Sequence, residues 1–216
     1  MSTAEPDPPA SEPQPPLSAV VFDLGGVLID WNPRYLYRKL FDDEAAMEAF
    51  LADVVSPEWN GQQDSGRTWA EAVEVLSREH PQQRDLIAAY WHRWHETLGD
   101  AIAPTVEILE ELRRTGVRLY ALSNWSAETF PVARSRYPFL ESFNGLVISG
   151  EVKLAKPDPR IFRHLLDRYG LAPASTVFID DSAANVRAAA AEGMVALRFE
   201  DAATLRNDLV RLGLLA

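Results

Sequence analysis

The sequence contains no cysteine, which excludes disulfide bonds and thiolate chemistry and is compatible with a reducing compartment. Basic residues are also scarce, with 21 Lys and Arg against 32 Asp and Glu and a formal net charge of −11. Nucleic-acid binding requires clustered Lys and Arg, so we expect no nucleic-acid partner. No segment approaches the ~18–20 continuous apolar residues that cross a bilayer. We therefore expect a cytoplasmic protein without a membrane partner, of open oligomeric state.

The first residues differ in composition from the rest of the chain. Residues 1–16 hold six prolines and neither an aromatic residue nor an aliphatic run, and they lack the basic start and apolar stretch of a secretory signal. Such a segment cannot bury enough apolar surface to offset the entropy of ordering. We predict a disordered Pro-rich tail over residues 1–17. The chain as a whole is 47% hydrophobic, which is enough to form a core.

Strand and helix patterns alternate along much of the remaining chain. Ala19-Val20-Val21-Phe22 is a short apolar run that ends at Asp23, as is typical of a buried parallel strand. From Pro104 onward the same alternation predicts strands at 117–122, 146–148, 176–179 and 195–199, and helices at 104–114, 160–169, 182–192 and 203–212. This order predicts an α/β fold with a doubly wound parallel sheet.

The segment between these two parts has a different pattern. Residues 33–99 are almost entirely helical in period, contain four of the six tryptophans, and include a capping-box pattern from Thr68 to Glu71. We predict that residues 33–99 form an inserted helical cap and that residues 18–32 and 100–216 form the α/β core. The range 33–99 is called the cap segment below.

Polar residues follow three of the predicted strands: Asp23, then Ser123 with Asn124, then Asp180 with Asp181. Because ligands of open parallel sheets bind at the carboxyl ends of the strands, we expect these residues to converge. Carboxylates that meet repel one another, and a hard divalent cation such as Mg²⁺ relieves that repulsion. Lys156 adds a positive charge in a chain with only three lysines. A nucleophile, a metal and donors around charged oxygens are the requirements of phosphoryl transfer.

Each of these residues also has an ordinary structural interpretation. An aspartate after a strand is often a helix cap or a turn residue, Ser-Asn is a common turn signal, and a loop lysine is usually solvated. Their joint placement at successive strand ends favours the functional interpretation.

The motifs together resemble the haloacid dehalogenase-like (HAD) superfamily, in the group of capped phosphatases and dehalogenases. The resemblance covers about residues 18–200 and includes four motifs in order: Val20–Leu28 around Asp23, Leu122-Ser123-Asn124, Lys156-Pro157-Asp158, and Phe178–Ser182 with Asn185. It implies a Rossmann-like core and a cap that closes over it.

The resemblance also implies roles for individual residues. Asp23 would attack phosphorus and form an aspartyl-phosphate, while Ser123, Lys156 and Asn124 would hold the transferring group. Mg²⁺ would be bound by Asp23, the backbone carbonyl of Gly25, Asp181 and, less directly, Asp180. Trp125 follows the second motif and is our candidate for contact with the substrate, a small phosphorylated metabolite; Trp59 and Asp64 are weaker candidates for lining the crevice.

The sequence departs from the family pattern at Gly25. Many phosphatases of the family carry a second aspartate there, which serves as general acid and base; glycine cannot, and Asp30 is a substitute only by its proximity in sequence. Two alternatives therefore stay open. One is a 2-haloacid dehalogenase with the same nucleophile, although Asp180-Asp181 argues against this metal-free reaction. The other is a catalytically weak binding protein on a HAD scaffold.

Overall fold

The computed structural model of the protein describes residues 16–216. Most of the predicted disordered tail thus lies outside the described residues. Leu17, which that prediction included, is half-buried and packs against the core, and the Ser18 amide donates to the Ser175 carbonyl at 2.9 Å. No helix in this described part of the chain is long and apolar enough to cross a membrane.

A parallel sheet forms the centre of the molecule. The strands are β1 (Ala19–Phe22), β2 (Ile29–Trp31), β3 (Leu98–Ala101), β4 (Arg118–Ser123), β5 (Gly145–Ile148), β6 (Thr176–Asp180) and β7 (Val195–Arg198). Five of them form one sheet in the order β5-β4-β1-β6-β7, and each neighbouring pair is parallel. The predicted doubly wound α/β fold is confirmed. Since β4 and β6 both flank β1, the carboxyl ends of the three predicted motif strands are adjacent.

The described chain has eleven α-helices, of which those after β3 accompany the sheet and the first five belong to the cap segment. They are α1 (Arg34–Tyr37), α2 (Glu44–Asp53), α3 (Pro57–Asp64), α4 (Trp69–Glu79), α5 (Arg84–His92), α6 (Ala103–Thr115), α7 (Phe130–Arg136), α8 (Ser149–Val152), α9 (Pro159–Tyr169), α10 (Ala183–Ala191) and α11 (Ala202–Arg211). Short 3₁₀ helices occupy Pro81–Gln83, Trp94–Thr97, Pro138–Ser142 and Pro173–Ser175. The helices predicted after Pro104 correspond to α6, α9, α10 and α11, whereas α7 and α8 had no prediction.

Local sequence signals explain where several helices begin and end. In α9 the Asp158 side chain accepts from the Arg160 amide and Pro159 occupies the first turn, while Gly170 ends the helix with a φ of 58°. Thr68 accepts from the Glu71 amide at 3.3 Å and so caps α4, as the capping pattern predicts.

The sheet is buried on both faces because its side chains alternate. Val20 and Phe22 of β1 lie in the hydrophobic cluster that includes α6, α11 and the cap segment. Ala19 and Val21 lie in the opposite cluster, with Phe162 of α9. A period of two with apolar residues on both faces is what a covered parallel strand requires.

The cap segment contains α1–α5, as its helical pattern predicts, and joins the core through paired strands that the pattern did not indicate. Strand β2 pairs antiparallel with β3, with Ile29 opposite Ala101 and Trp31 opposite Leu98. These strands lie at the two predicted boundaries of the cap segment. They bring its first and last residues together, so the insertion leaves and re-enters the core at one place.

Candidate active site

A cavity of about 290 Å³ opens at the carboxyl ends of β1, β4 and β6. It is lined by Asp23, Gly25, Gly26, Trp31, Asn60, Asp64, Trp94, Ser123, Asn124, Trp125 and Asp181. Seven of the residues singled out for the site therefore lie together here: Asp23, Gly25, Asp64, Ser123, Asn124, Trp125 and Asp181. The convergence expected from the strand ends is present in the structure.

Lys156 lies beneath the cavity rather than in its wall. Its Nζ is 2.9 Å from Asp23 Oδ1 and 2.6 Å from Asp180 Oδ2, and its side chain is fully buried. Asp180 is also fully buried and absent from the cavity lining. The lysine thus contacts the proposed nucleophile directly, and one positive charge is shared between two carboxylates.

Hydrogen bonds hold both Lys156 and Asp180 in place. The Asn124 side chain donates to the Lys156 carbonyl at 2.9 Å and accepts from the Lys156 amide at 2.8 Å, so it joins the end of β4 to the lysine loop. Asp180 accepts from the Ser182 amide at 2.8 Å and from Asn185 Nδ2 at 3.0 and 3.1 Å. The Asn124 side chain therefore acts on the backbone of Lys156.

Burial and neighbouring charges together shift the pKa values of Asp23 and Lys156. Burial raises the pKa of Asp23 to about 6, although the positive charge of Lys156 lowers it. Burial alone would lower the pKa of Lys156, but Asp23 and Asp180 reverse this effect and raise it. The lysine accordingly stays protonated, and Asp23 is ionised above pH ~6.

A divalent cation fits the oxygen atoms at this end of the sheet. Asp23, Asp180 and Asp181 each offer a carboxylate oxygen, and these oxygens lie within 4.8 Å of one another. Burial and the charge of Asp180 raise the pKa of Asp181, and no ion pair neutralises Asp181 within residues 16–216. The three carboxylates carry more negative charge than Lys156 alone neutralises. Carboxylate oxygens in such a setting are typical ligands of Mg²⁺.

The two glycines after Asp23 differ in the room around them. A Cβ on Gly26 would lie 2.6 Å from Asp181 Oδ2, and its φ of 75° is left-handed. A Cβ on Gly25 would meet nothing within 4 Å. We expect Gly26→Ala to lower the free energy of unfolding by ~1–2 kcal/mol and Gly25→Ala to change it by less than ~0.5 kcal/mol. Urea denaturation would measure both, and equal stability of the two variants would contradict this account.

The cap segment and the strand that leads into it contribute residues that carried little or no sequence signal. Asn60 and Asp64 lie four residues apart on α3, Trp94 follows α5, and Trp31 ends β2. Asp64 and Trp125 line the cavity as suggested. Trp59 instead packs on the rings of Trp69 and Tyr90, at centroid distances of 5.6 and 5.8 Å, because it points into the cap core.

Asp30, considered above as a substitute acid, lies elsewhere. Its Oδ2 accepts from the Tyr35 hydroxyl at 2.5 Å, and it lines a separate surface depression with Tyr35 and Lys39. Its neighbour Trp31 lines the cavity, whereas Asp30 lines only the separate depression. Asp30 is close to Gly25 in sequence but does not line the cavity, so it does not replace the missing acid.

Known proteins are similar to this chain in sequence or in fold. A sesquiterpene phosphatase of Aspergillus oryzae is 28% identical over 194 residues, covering 90% of this chain and 95% of its own. A HAD family enzyme from Bacteroides thetaiotaomicron, solved in complex with magnesium and inorganic phosphate, is 26% identical with a TM-score of 0.64, covering 88% of this chain and 98% of its own. A solved dehalogenase is 25% identical with a TM-score of 0.62, covering 84% of each chain.

The family model of haloacid dehalogenase-like hydrolases matches residues 17–193, which include all four motifs and the whole cap segment. The parallel sheet, the buried Asp23–Lys156 pair and the acidic strand ends agree with that match. The chain therefore belongs to the haloacid dehalogenase-like hydrolase family.

Proposed function

We propose that the protein is a Mg²⁺-dependent phosphatase that hydrolyses a small phosphorylated metabolite through an aspartyl-phosphate on Asp23. The observation that carries this proposal is the pairing of Asp23 with Lys156 next to the carboxylates of Asp180 and Asp181. A hydrolase with these residues at one sheet edge can bind a dianionic phosphoryl group and attack it.

Each residue has a distinct task in the proposed reaction. Asp23 supplies the nucleophilic oxygen, and Lys156 holds that carboxylate in place and offsets the charge of the transferring phosphoryl group. Ser123 and the backbone of Asn124 lie in the cavity wall and donate to phosphoryl oxygens. Asp180 accepts from Lys156, Ser182 and Asn185, so in this proposal it chiefly positions the lysine.

Asp23, Asp181 and the Gly25 carbonyl would hold the metal ion, with Asp180 nearby. When bound, Mg²⁺ supplies positive charge that stabilises the phosphoryl oxygens. The Bacteroides enzyme in complex with magnesium and inorganic phosphate supports this assignment by analogy. Phosphate binding in so acidic a chain requires that local positive charge.

The residues that line the cavity favour a substrate whose leaving alcohol carries no second charged group. Trp31, Trp94 and Trp125 line it, whereas no arginine, lysine or histidine of residues 16–216 does. The rings of Trp94 and Trp125 lie 5.5 Å apart, which gives a continuous aromatic wall. An alcohol with an apolar or flat face packs on such a wall, while a second anionic group finds no counter-charge. The likeness to a sesquiterpene phosphatase agrees with this class of substrate.

Dehalogenation of a 2-haloacid is the second reaction that Asp23 could perform. It would need a cation for the substrate carboxylate, but Lys156 is already shared between Asp23 and Asp180, and the described cavity lining adds no other cation. It would also leave the charge of Asp181, which no ion pair neutralises within residues 16–216, without a role. Phosphate transfer with Mg²⁺ uses that charge, and we therefore favour it.

A panel of substrates tests this proposal. We expect phosphate release from prenyl and aryl monophosphates with Mg²⁺ and none after chelation with EDTA. 2-Phosphoglycolate and phosphoserine should have a kcat/KM lower by roughly 10- to 100-fold, because their carboxylates would be left unpaired at ~1–3 kcal/mol.

Chloride release from 2-chloropropionate serves as the contrasting assay. Chloride release without metal, or phosphate release that EDTA leaves unchanged, would refute the proposed reaction. A preference for the anionic leaving groups would refute the substrate class alone.

A further inference from the structure

The phosphatase reaction proposed above needs a proton donor that the Asp23 loop does not provide. The leaving alkoxide must be protonated, and water must later be deprotonated to hydrolyse the aspartyl-phosphate. Gly25 has no side chain for either step, and Asp30 lies outside the cavity. On the basis of that proposed reaction, we infer that Asp64 is the general acid that protonates the leaving oxygen and then the general base that activates water.

The position of Asp64 suits this role. It is half-buried, and apart from Asp23 and Asp181 it is the carboxylic acid among the described residues that lines the cavity. Asp23 is occupied as nucleophile and Asp181 as metal ligand, which leaves Asp64 to exchange protons. It enters from α3 in the cap segment, whereas the nucleophile comes from the core.

Neighbouring groups hold the Asp64 carboxyl in place. Asn60 Nδ2, one helical turn earlier, donates to Asp64 Oδ2 at 3.1 Å. Asn60 Oδ1 is buried and has no partner among the described residues. Asn60 itself lines the cavity beside this carboxyl. The Asp64 carbonyl accepts from Ser149 Oγ, which fixes the end of α3 against the core.

The electrostatic surroundings support exchange of a proton near neutrality. Burial raises the pKa of Asp64 to about 7, a main-chain hydrogen bond from Ser126 lowers it, and the negative charge of Asp23 raises it further. Tyr90 of α5 is the other titratable group that faces Asp64, and burial keeps its own pKa above the ordinary value. No Lys or Arg of residues 16–216 forms an ion pair with Asp64. An acid with a pKa near the operating pH is efficient in both directions.

Bonds and protons are conserved in the formation and in the hydrolysis of the aspartyl-phosphate. Asp23 Oδ forms a bond to phosphorus as the bond from phosphorus to the substrate oxygen breaks, and that oxygen takes the proton of the Asp64 carboxyl. The resulting Asp64 carboxylate takes a proton from water, whose oxygen bonds to phosphorus as the phosphorus–Asp23 bond breaks. Alcohol and inorganic phosphate leave, and Asp64 is protonated again.

Asp64→Asn tests the inference through two leaving groups. Nitrophenolate leaves without a proton, so the variant should release about one equivalent of nitrophenolate per active site from p-nitrophenyl phosphate in a rapid burst. Slow turnover should follow, because the water that hydrolyses the aspartyl-phosphate is no longer activated. A prenyl or alkyl monophosphate should give no burst, and its kcat should fall by ~10²–10⁴-fold. Asp53→Asn, an exposed aspartate of α2, is the matched control and should behave as wild type.

The pH profile adds a readout that a purely structural role would not change. For the alkyl substrate, kcat/KM of the wild type should fall as pH rises through about 7, where Asp64 loses its proton, and this limb should be absent in Asp64→Asn. Wild-type turnover of alkyl phosphate by Asp64→Asn, or equal slowing of the first turnover with both leaving groups, would overturn the inference. Absence of phosphate release by the wild type would instead overturn the phosphatase reaction itself.

Discussion

Asp23→Asn is expected to abolish phosphate release, with kcat lower by on the order of 10⁴-fold or more, while the protein stays folded. The amide has the volume of the carboxylate but cannot form an acyl-phosphate. Stability should change little because Lys156 retains its 2.6 Å contact with Asp180. Burial already raises the pKa of Asp23 to about 6, so removing this charge also relieves a desolvation penalty.

The measurement combines steady-state phosphate release with thermal unfolding. Rapid acid quench of the wild type during turnover should leave the phosphoryl group on the peptide that contains Asp23, and the same quench of Asp23→Asn should leave none. Residual turnover within 100-fold of wild type would rule out covalent catalysis by this residue, as would a phosphorylated peptide elsewhere in the chain.

Lys156→Met is expected to have the largest effect on stability, a loss of about 3–5 kcal/mol in the free energy of unfolding. The substitution keeps the aliphatic volume but leaves Asp23 and Asp180 buried side by side without a counter-charge. Lys153→Met is the matched control, because Lys153 is exposed and makes no ion pair among residues 16–216. Its effect should stay within ~0.5 kcal/mol.

The loss in Lys156→Met should depend on pH. Without the lysine, the buried Asp23 carboxyl, whose pKa burial already raises to about 6, takes up a proton more readily still, whereas its pKa in the unfolded chain is ~3.9. A folded-state pKa above the unfolded value means that stability falls as pH rises between the two. Urea denaturation should therefore show a larger deficit at pH 8 than at pH 5. A deficit that is equal at both pH values would show that the lysine acts by packing alone.

The sequence was sufficient to predict the core because its signals are local. The apolar run of β1 and the glycines that end α6 and α9 lie next to the residues they control. Asp23, Ser123 and Asp181 could be brought together by topology alone, since parallel neighbours end at the same edge. No metal or partner needed to be known for that step.

The remaining parts of the site depend on contacts between distant segments. That Lys156 lies beneath Asp23 follows from its loop bonding to Asn124, 32 residues away. Asn60 had no sequence signal and Asp64 was only a weak candidate, because their place at the cavity depends on the packing of α3 on α8. Their spacing of four residues was a signal, but many helix faces carry such pairs.

The hydroxyl of Ser149 connects the position of the cap segment to the supply of a proton at the site. It accepts from the Trp125 amide at 2.8 Å and donates to the Asp64 carbonyl, so a single side chain joins the end of the fourth strand to the end of α3. If α3 lifts to admit substrate, this link breaks and the proton donor withdraws, while the nucleophile keeps its lysine partner. Protonation of the leaving oxygen by Asp64 would then require the closed position of α3, and with α3 open the Asp23–Lys156 pair would be intact but an alkyl phosphate would lack its proton donor.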